Sequence, residues 1–236
     1  MEVKRGIAVS PGIAIGPALV LDTEGVRIPQ RLVEPSQVGA EIDRLHAALH
    51  AATLETRASQ DKLTARLGPQ YGAIFAAHTM LLDDPMLLGE LDEAIRKQLF
   101  SAEYAVSRVI RKFVKALQSL GVDSFLGQRS ADLIDIEKRI LNGLLGQRRE
   151  PLSLLREPVI VLARDLMPSE TASLDPKKVY AFATESGGRT SHTAIMAGAL
   201  EIPAVVGLGP FMTDISGGDI VIVDGEHGLL ILDPDD

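Results

Sequence analysis

The sequence has no cysteine. Disulfides, thiolate zinc sites, iron–sulfur clusters and cysteine nucleophiles are therefore excluded, and a reducing compartment is consistent with the composition. Any chemistry must rest on histidine, serine, threonine or carboxylates. Long apolar runs are also missing: no stretch approaches the ~20 residues of a membrane span, and the opening "MEVKRGIAVSPGIAIG" lacks the apolar core of a signal peptide. These absences predict a cytoplasmic protein with no membrane partner. Nor is there an excess of basic charge. Acidic residues number 32 against 24 basic ones, a net charge of −8, which argues against nucleic acid and for a basic protein or a small molecule as partner. Phosphate-cradling loops are absent too. "GIAVSPGIAIG" has neither GxGxxG nor Walker spacing, and "GLGPFM" has Gly207 and Gly209 but no glycine at 212.

What is present is enough for packed cores, with 236 residues of which 46% are hydrophobic. Residues 3–20 alternate apolar residues with glycine and proline, which predicts short strands around a turn at Pro11-Gly12. From Ser36 an apolar stripe through Val38, Ile42, Leu45, Leu49, Ala52 and Leu63, thinned by Thr56 and Ser59, predicts one long amphipathic helix. Tyr71–Leu82, Pro85–Leu99, Ala102–Leu120 and Ser130–Leu145 repeat the helical period, broken by Gly68-Pro69, Asp83-Asp84 and Gly121. After "GQRREPLSLLREP" the period switches to short strands: "VIVLA", "VYAFAT", "AVVG", "DIVIVDG" and "GLLILD". Short helices are expected near Ser169–Leu174 and after Thr190.

The N-terminal strands find no partner in the helical block, so they are expected to join the C-terminal sheet. The prediction is an α/β domain of residues 1–33 and 147–236 with an inserted all-α subdomain of helical hairpins, residues 34–146. No internal repeat is seen.

The segment "ESGGRTSHTAIMAGALEIPAVVG" places His192, one of only five histidines, just beyond Gly187, Gly188 and Arg189. The glycines permit a sharp strand-to-helix turn, Thr190 is the expected N-cap, and His192 then falls in the first helical turn. The N–H groups and dipole there favour an anion by roughly 0.3–1 kcal/mol. A phosphate on the imidazole would be such an anion, and Arg189, Thr190, Ser191 and Thr193 add donors. His192 also shares a helix face with Ile195, Met196 and Ala199, so a buried histidine bonded to a carbonyl accounts for the spacing equally well. A Ser191–His192 catalytic pair fits poorly, because adjacent helical residues point ~100° apart. His46 and His50 in "HAALH" have i,i+4 spacing but lack the glutamate of HExxH and a third ligand, which makes them a solvated face rather than a metal site.

"GGRTSHTAIMAGALEIPAVVG" resembles the phosphohistidine signature of the phosphoenolpyruvate-utilising enzymes, in particular enzyme I of the bacterial phosphoenolpyruvate:sugar phosphotransferase system. "GIAVSPGIAIGPA", "IFAAHTMLLDDPML" and "DLMPSETASLD" resemble that family in the same order. The resemblance implies a swivelling phosphohistidine domain whose His192 is phosphorylated on Nε2, with Thr171 of "PSET" hydrogen-bonded to the imidazole or its phosphate and Gly188 and Arg189 bordering it. It also implies that the helical block docks the histidine phosphocarrier protein HPr through His78, Met80, Leu81, Asp83, Asp84 and Arg129. His78 lies on the apolar stripe of its helix, where a core or interface role fits better than chemistry. Where family members carry charges before "AIF", this chain has Tyr71 and Gly72.

Enzyme I continues into a C-terminal barrel that binds phosphoenolpyruvate and Mg²⁺ and forms its dimer interface. This chain stops at "LDPDD", so no cofactor, metal site or dimer is expected within it, and the barrel becomes an expected partner. The function expected is a phosphoryl relay with HPr. Alternatives are a module of a multi-component or nitrogen-regulatory phosphotransferase, a non-catalytic docking module in which His192 is structural, and the mobile domain of a dikinase-type enzyme, whose nucleotide-binding segment is not found.

Overall fold

The structure, a computed structural model, describes residues 1–21, 28–119, 129–146 and 157–234. It divides into two units, Met1–Glu24 with Glu150–Asp236, and Gly25–Arg149. The first is the α/β unit anticipated from the switch in period. Its strands are β1 (Glu2–Arg5), β2 (Ile7–Ser10), β3 (Ile13–Leu21), β4 (Val159–Ala163), β5 (Val179–Thr184), β6 (Ala204–Val206), β7 (Ile220–Asp224) and β8 (Leu229–Leu232). They form one sheet in the order β1-β8-β7-β3-β4-β5-β6-β2. Strands β3, β4, β5 and β6 run parallel, and the flanking pairs are antiparallel.

Side-chain period explains this order. β4 and β5 are almost continuously buried, as parallel strands covered on both faces must be. β7 and β8 alternate buried with more exposed residues. Alternate residues of each strand, Ile160 and Leu162, Ala181 and Ala183, Val221 and Val223, Leu230 and Leu232, meet in one apolar cluster with Phe211.

The sheet curls until its edges meet. Arg5 pairs with Leu229 at one edge and Ile7 with Val206 at the other, with only Gly6 between them. The Gly6 N–H donates to the Gly228 carbonyl at 2.9 Å. A Cβ at Gly6 would lie 2.7 Å from the Val206 carbonyl oxygen and 2.9 Å from side-chain atoms of Val205 and Leu208.

The second unit is helical: α1 (Val38–Leu67), α2 (Pro69–Leu82), α3 (Pro85–Gln98), α4 (Ala102–Gln118) and α5 (Ser130–Leu145). The expected starts at Ser36 and Tyr71 shift by two residues. Pro35–Gln37 form a 3₁₀ turn instead, and Pro69 occupies the first turn of α2, where its missing N–H is not needed. Leu120 and Gly121 lie outside the described residues. Leu45, Leu91, Ile95, Ile110, Ile136 and Ile140 form the centre of a single core.

A polar knot fixes its open end. Glu41, buried on α1, accepts from the Ala102 N–H at 2.8 Å and from Arg44 at 2.8 and 2.9 Å, while Arg44 also pairs with Glu103. The expected boundary after residue 33 falls too late. Leu32 bridges Phe100, Val33 donates to Leu99 and Ser101 donates to Arg31, so residues 31–33 belong to the helical unit.

Two short helices complete the α/β unit, α6 (Pro168–Ala172) and α7 (His192–Leu200), the latter packed on β2 and β6. No helix among the described residues is long and apolar enough to cross a membrane.

Gly6→Ala should destabilise the α/β unit by about 1–3 kcal/mol, because a backbone carbonyl cannot retreat from the added methyl as a side chain can. Denaturant unfolding of the variant, followed by tryptophan-free near- and far-ultraviolet signals, checks this; an unchanged midpoint would mean that the sheet is not closed at Gly6.

Candidate functional site

The parallel strands β4, β5 and β6 release their chains at one end of the sheet, and three loops gather there. Residues 164–167 follow β4, residues 185–191 follow β5, and residues 207–212 follow β6. The second and third loops are stitched together by backbone bonds: Gly207 N–H to Ser186 at 3.1 Å, Leu208 to Thr184 at 3.1 Å, and Gly209 to Glu185 at 3.0 Å. Gly187 adopts φ +109° and Gly207 φ +67°, and a Cβ on Gly207 would sit 2.9 Å from the Gly187 carbonyl oxygen. Only glycine fits both conformation and spacing.

Glu185 anchors the stitch. One carboxylate oxygen accepts from the Phe211 and Met212 N–H groups at 2.8 and 2.9 Å, and Arg164 lies 3.4 Å from the other. Burial works against the charged form, but the Met212 and Phe211 N–H groups and Arg164 outweigh it and hold the carboxyl below its ordinary value. Sequence reading missed this residue, since its partners are backbone groups 26 and 27 positions away.

The N-cap of α7 is Ser191, not Thr190. Ser191 donates its N–H to the Gly188 carbonyl at 3.0 Å, which closes a turn through Arg189 and Thr190. Ser191 is thereby left extended, with its hydroxyl accepting from the Ala194 N–H at 3.2 Å. His192 becomes the first helical residue and is half-buried. On its face Ile195 is 46% exposed, which places the imidazole at the rim of the helix rather than in the core.

Thr193, fully turned inward, donates its hydroxyl to the Leu166 carbonyl at 3.1 Å. That bond ties the start of α7 to the segment that leads into α6, and the two helices pack together. Thr171 on α6 is completely buried, and its hydroxyl proton is shared between the carbonyls of Pro168 at 3.0 Å and Met167 at 3.2 Å. Its oxygen keeps lone pairs able to accept an N–H. Gly188 and Arg189 lie in the loop immediately before His192, Arg189 exposed.

In the helical unit, Met80, Leu81, Asp83 and Asp84 come together at the end of α2. A shallow groove of about 470 Å³ is lined there by Met80, Asp83, Asp84, Thr79 and Gln60. Met80 is 74% exposed and Met86, in the first turn of α3, 67%. Asp83 is open to solvent with Arg57 3.8 Å away. Asp84 is the N-cap of α3, accepting from Met86 and Leu87 N–H groups at 2.7 and 3.3 Å, so a structural role is added to its expected place on the rim.

His78 does not reach the surface. It is fully buried, Nε2 3.1 Å from Asp132 and Nδ1 3.7 Å from Asp135, with Phe75 edge-on at 5.5 Å. Its place on the apolar stripe of α2 turns it into the core, where it joins α2 to α5. Arg129 is the half-buried residue that opens α5. His46 on the exposed face of α1 pairs with Asp92. Among the described residues no group of three or more His, Asp or Glu side chains is placed to hold a metal ion.

Two family models match the chain: the N-terminal region of PEP-utilising enzymes over residues 5–129 and their mobile domain over residues 155–228. The chain belongs to the phosphoenolpyruvate-utilising enzymes. Within this family it is 44% identical over 230 residues to a phosphoenolpyruvate-protein phosphotransferase of Geobacillus stearothermophilus, covering 98% of this chain and 39% of that protein. It is 40% identical to the protein of the same name from Latilactobacillus sakei, covering 98% and 40%. The chain thus spans about two fifths of the length of these relatives. A solution structure of an enzyme I protein matches with a TM-score of 0.77 at 43% identity, covering 99% of this chain and 94% of that one. The N-terminal domain of a nitrogen-type enzyme I matches at 0.66 and 28%, covering 98% and 94%.

Because Glu185 is held below its ordinary value of 4.5, its contribution is complete above that pH and is lost as pH falls through the lowered value. Glu185→Gln keeps an acceptor but removes the charge. It should cost about 1–2 kcal/mol at neutral pH and flatten the loss of amide protection at Phe211 and Met212 on acidification. Hydrogen exchange of those two amides as a function of pH is the measurement.

Proposed function

We propose that this chain is a phosphoryl relay: His192 takes a phosphoryl group and exchanges it with a histidine of the phosphocarrier protein HPr. The single observation that carries the reading is the setting of His192, a half-buried imidazole on the first residue of a helix whose start is pinned by the Ser191 cap and the Thr193–Leu166 bond.

In that setting the first-turn N–H groups and the helix dipole favour the anion that a phosphorylated imidazole becomes. The step itself is an in-line displacement. The lone pair of neutral His192 Nε2 forms the new N–P bond, the P–N bond to the donor imidazole breaks, and its electron pair returns to the donor ring. Little covalent help is needed, so positioning governs the rate. The buried Thr171 oxygen, its own proton committed to the Met167 and Pro168 carbonyls, suits an acceptor that fixes the imidazole tautomer. Arg189 then contributes a charge at the open side of the loop.

HPr would dock on the helical unit, with the apolar Met80 and Met86 at the centre and Asp83 at the rim. Leu81, Asp84 and Arg129 support this surface, and buried His78 holds the helix that bears it. A basic partner site complements the acidic chain.

His192→Ala should fold but take no phosphate from phosphorylated HPr, as read by intact mass under alkaline conditions, where phosphohistidine survives. Retained transfer would end the assignment, and folded wild-type chain that never takes phosphate would favour a docking module. Thr171→Ala should transfer more slowly with docking unchanged.

The docking face has its own test. Met80→Ala should weaken HPr binding about five- to tenfold and Asp83→Asn only two- to threefold, the latter effect shrinking with added salt. Calorimetric titration of HPr into each variant reads both, and equal affinities throughout would move the surface elsewhere.

A further inference from the structure

A groove of the helical unit separate from the Met80 surface runs between α3 and α4. It encloses about 780 Å³, within the range of small-molecule sites. In a chain of net charge −8 its wall runs against the trend. Arg108, Arg111, Lys112 and Lys115, all exposed, line it from α4. Their i, i+3, i+4, i+7 spacing puts them on one helix face, spread over ~10 Å of its length.

Facing acids cancel only part of this charge. Glu90 takes Lys112 on both oxygens, at 2.7 and 2.8 Å, and Glu93 is held by Lys97 at 2.6 Å. The third nearby acid, Glu137, is 3.7 Å from Arg111. Burial pushes its carboxyl above the usual glutamate value. Arg108 lies over the Phe100 ring at 5.6 Å, and neither it nor Lys115 has a carboxylate partner among the described residues. Two cations, Arg108 and Lys115, are thus left to a ligand, and Arg111, 3.7 Å from Glu137, stands beside them. Ile28, Ala94, Val109 and the Tyr104 ring give the wall an apolar portion, beside the polar Gln98 and Ser107.

We propose that this groove binds a small organic polyphosphate of the nucleoside diphosphate class, its phosphates against the α4 cations and its planar body against Tyr104 and the apolar wall. The size of the groove and the confinement of free charge to two helical turns suit such a molecule better than a peptide. The site stands apart from the phosphoryl relay and does not depend on it.

The test is titration of the full chain with ADP, inorganic pyrophosphate and adenosine separately, followed by backbone amide shifts. ADP should bind saturably with shifts confined to α3 and α4, and pyrophosphate and adenosine should each bind more weakly. Arg108→Ala and Lys115→Ala should each weaken ADP about tenfold, as the loss of a charge-assisted hydrogen bond does. Lys177→Ala, an exposed lysine of the other unit, should change nothing. Both groove substitutions are at exposed positions, so the fold is retained. No saturation by ADP at millimolar concentration overturns the site. So do shifts outside α3 and α4, or affinity indifferent to both substitutions. Pyrophosphate binding as tightly as ADP overturns the organic body, and an acidic peptide that binds the groove while ADP fails to displace it overturns the ligand class.

Discussion

The parallel pairing of β3 with β4 is the constraint from which the rest of the structure follows. Leu21 pairs with Ala163 at the end of that ladder, and two parallel strands cannot be joined by a hairpin because the chain must travel back the full strand length. Here the crossover has grown into the entire helical unit. The same pairing lines up the carboxyl ends of β4, β5 and β6, so segments far apart in sequence, 164–171, 185–192 and 207–212, become neighbours. Whether a parallel α/β sheet is open or closed, sites gather at the carboxyl ends of its strands, and His192 emerges there. Closure at Gly6 completes the arrangement by removing the free sheet edges, which would otherwise invite pairing with another chain.

The two units spend charge differently. In the helical unit the buried polar groups are structural: Glu41, Arg44 and Glu103 satisfy one another and cap α4, and His78 sits between Asp132 and Asp135. Breaking such buried sets costs more than their formation contributes, since the orphaned charge stays desolvated. They fix which helices meet. At the mouth of the α/β sheet Glu185 holds loops rather than helices, and Arg189, in the loop before His192, is exposed. The fixed negative charge of that loop, Glu185, is turned toward the Phe211 and Met212 N–H groups and Arg164.

Much of this was legible in the sequence because it rests on period. The runs 159–163 and 179–184 are strands from end to end, and the helical breaks at Gly68-Pro69 and Asp83-Asp84 fall where the residues' turn chemistry puts them. Even the return of the N-terminal strands to the distant sheet could be inferred, since alternating residues with no local partner must pair somewhere. What the sequence hid were choices between equivalent neighbours and contacts made by backbone. Thr190 and Ser191 are both good N-caps, and only the Gly188–Ser191 turn decides between them. His78 carried the stripe of a core residue, yet its burial against two aspartates depended on a helix 54 residues away. Glu185 reads as a loop acid until the 211–212 turn folds over it.

Under the proposed relay, the histidine that both accepts and surrenders a phosphoryl group cannot be deeply buried, and it cannot be loose. Full burial would exclude the partner ring, whereas a free surface side chain would lose the orientation on which in-line transfer depends. The first residue of a short helix meets both demands. Its backbone is immobilised by the Ser191 cap behind it and the Thr193 bond ahead of it, while its side chain stands at the rim. In that proposal the first-turn N–H groups supply a fixed field for the anion, which would cost no reorganisation at the moment of transfer. It also stays moderate: partial dipole charges, unlike a buried lysine or arginine, stabilise the phosphoryl group without trapping it. A relay needs that balance, because the phosphate it holds must leave as readily as it came.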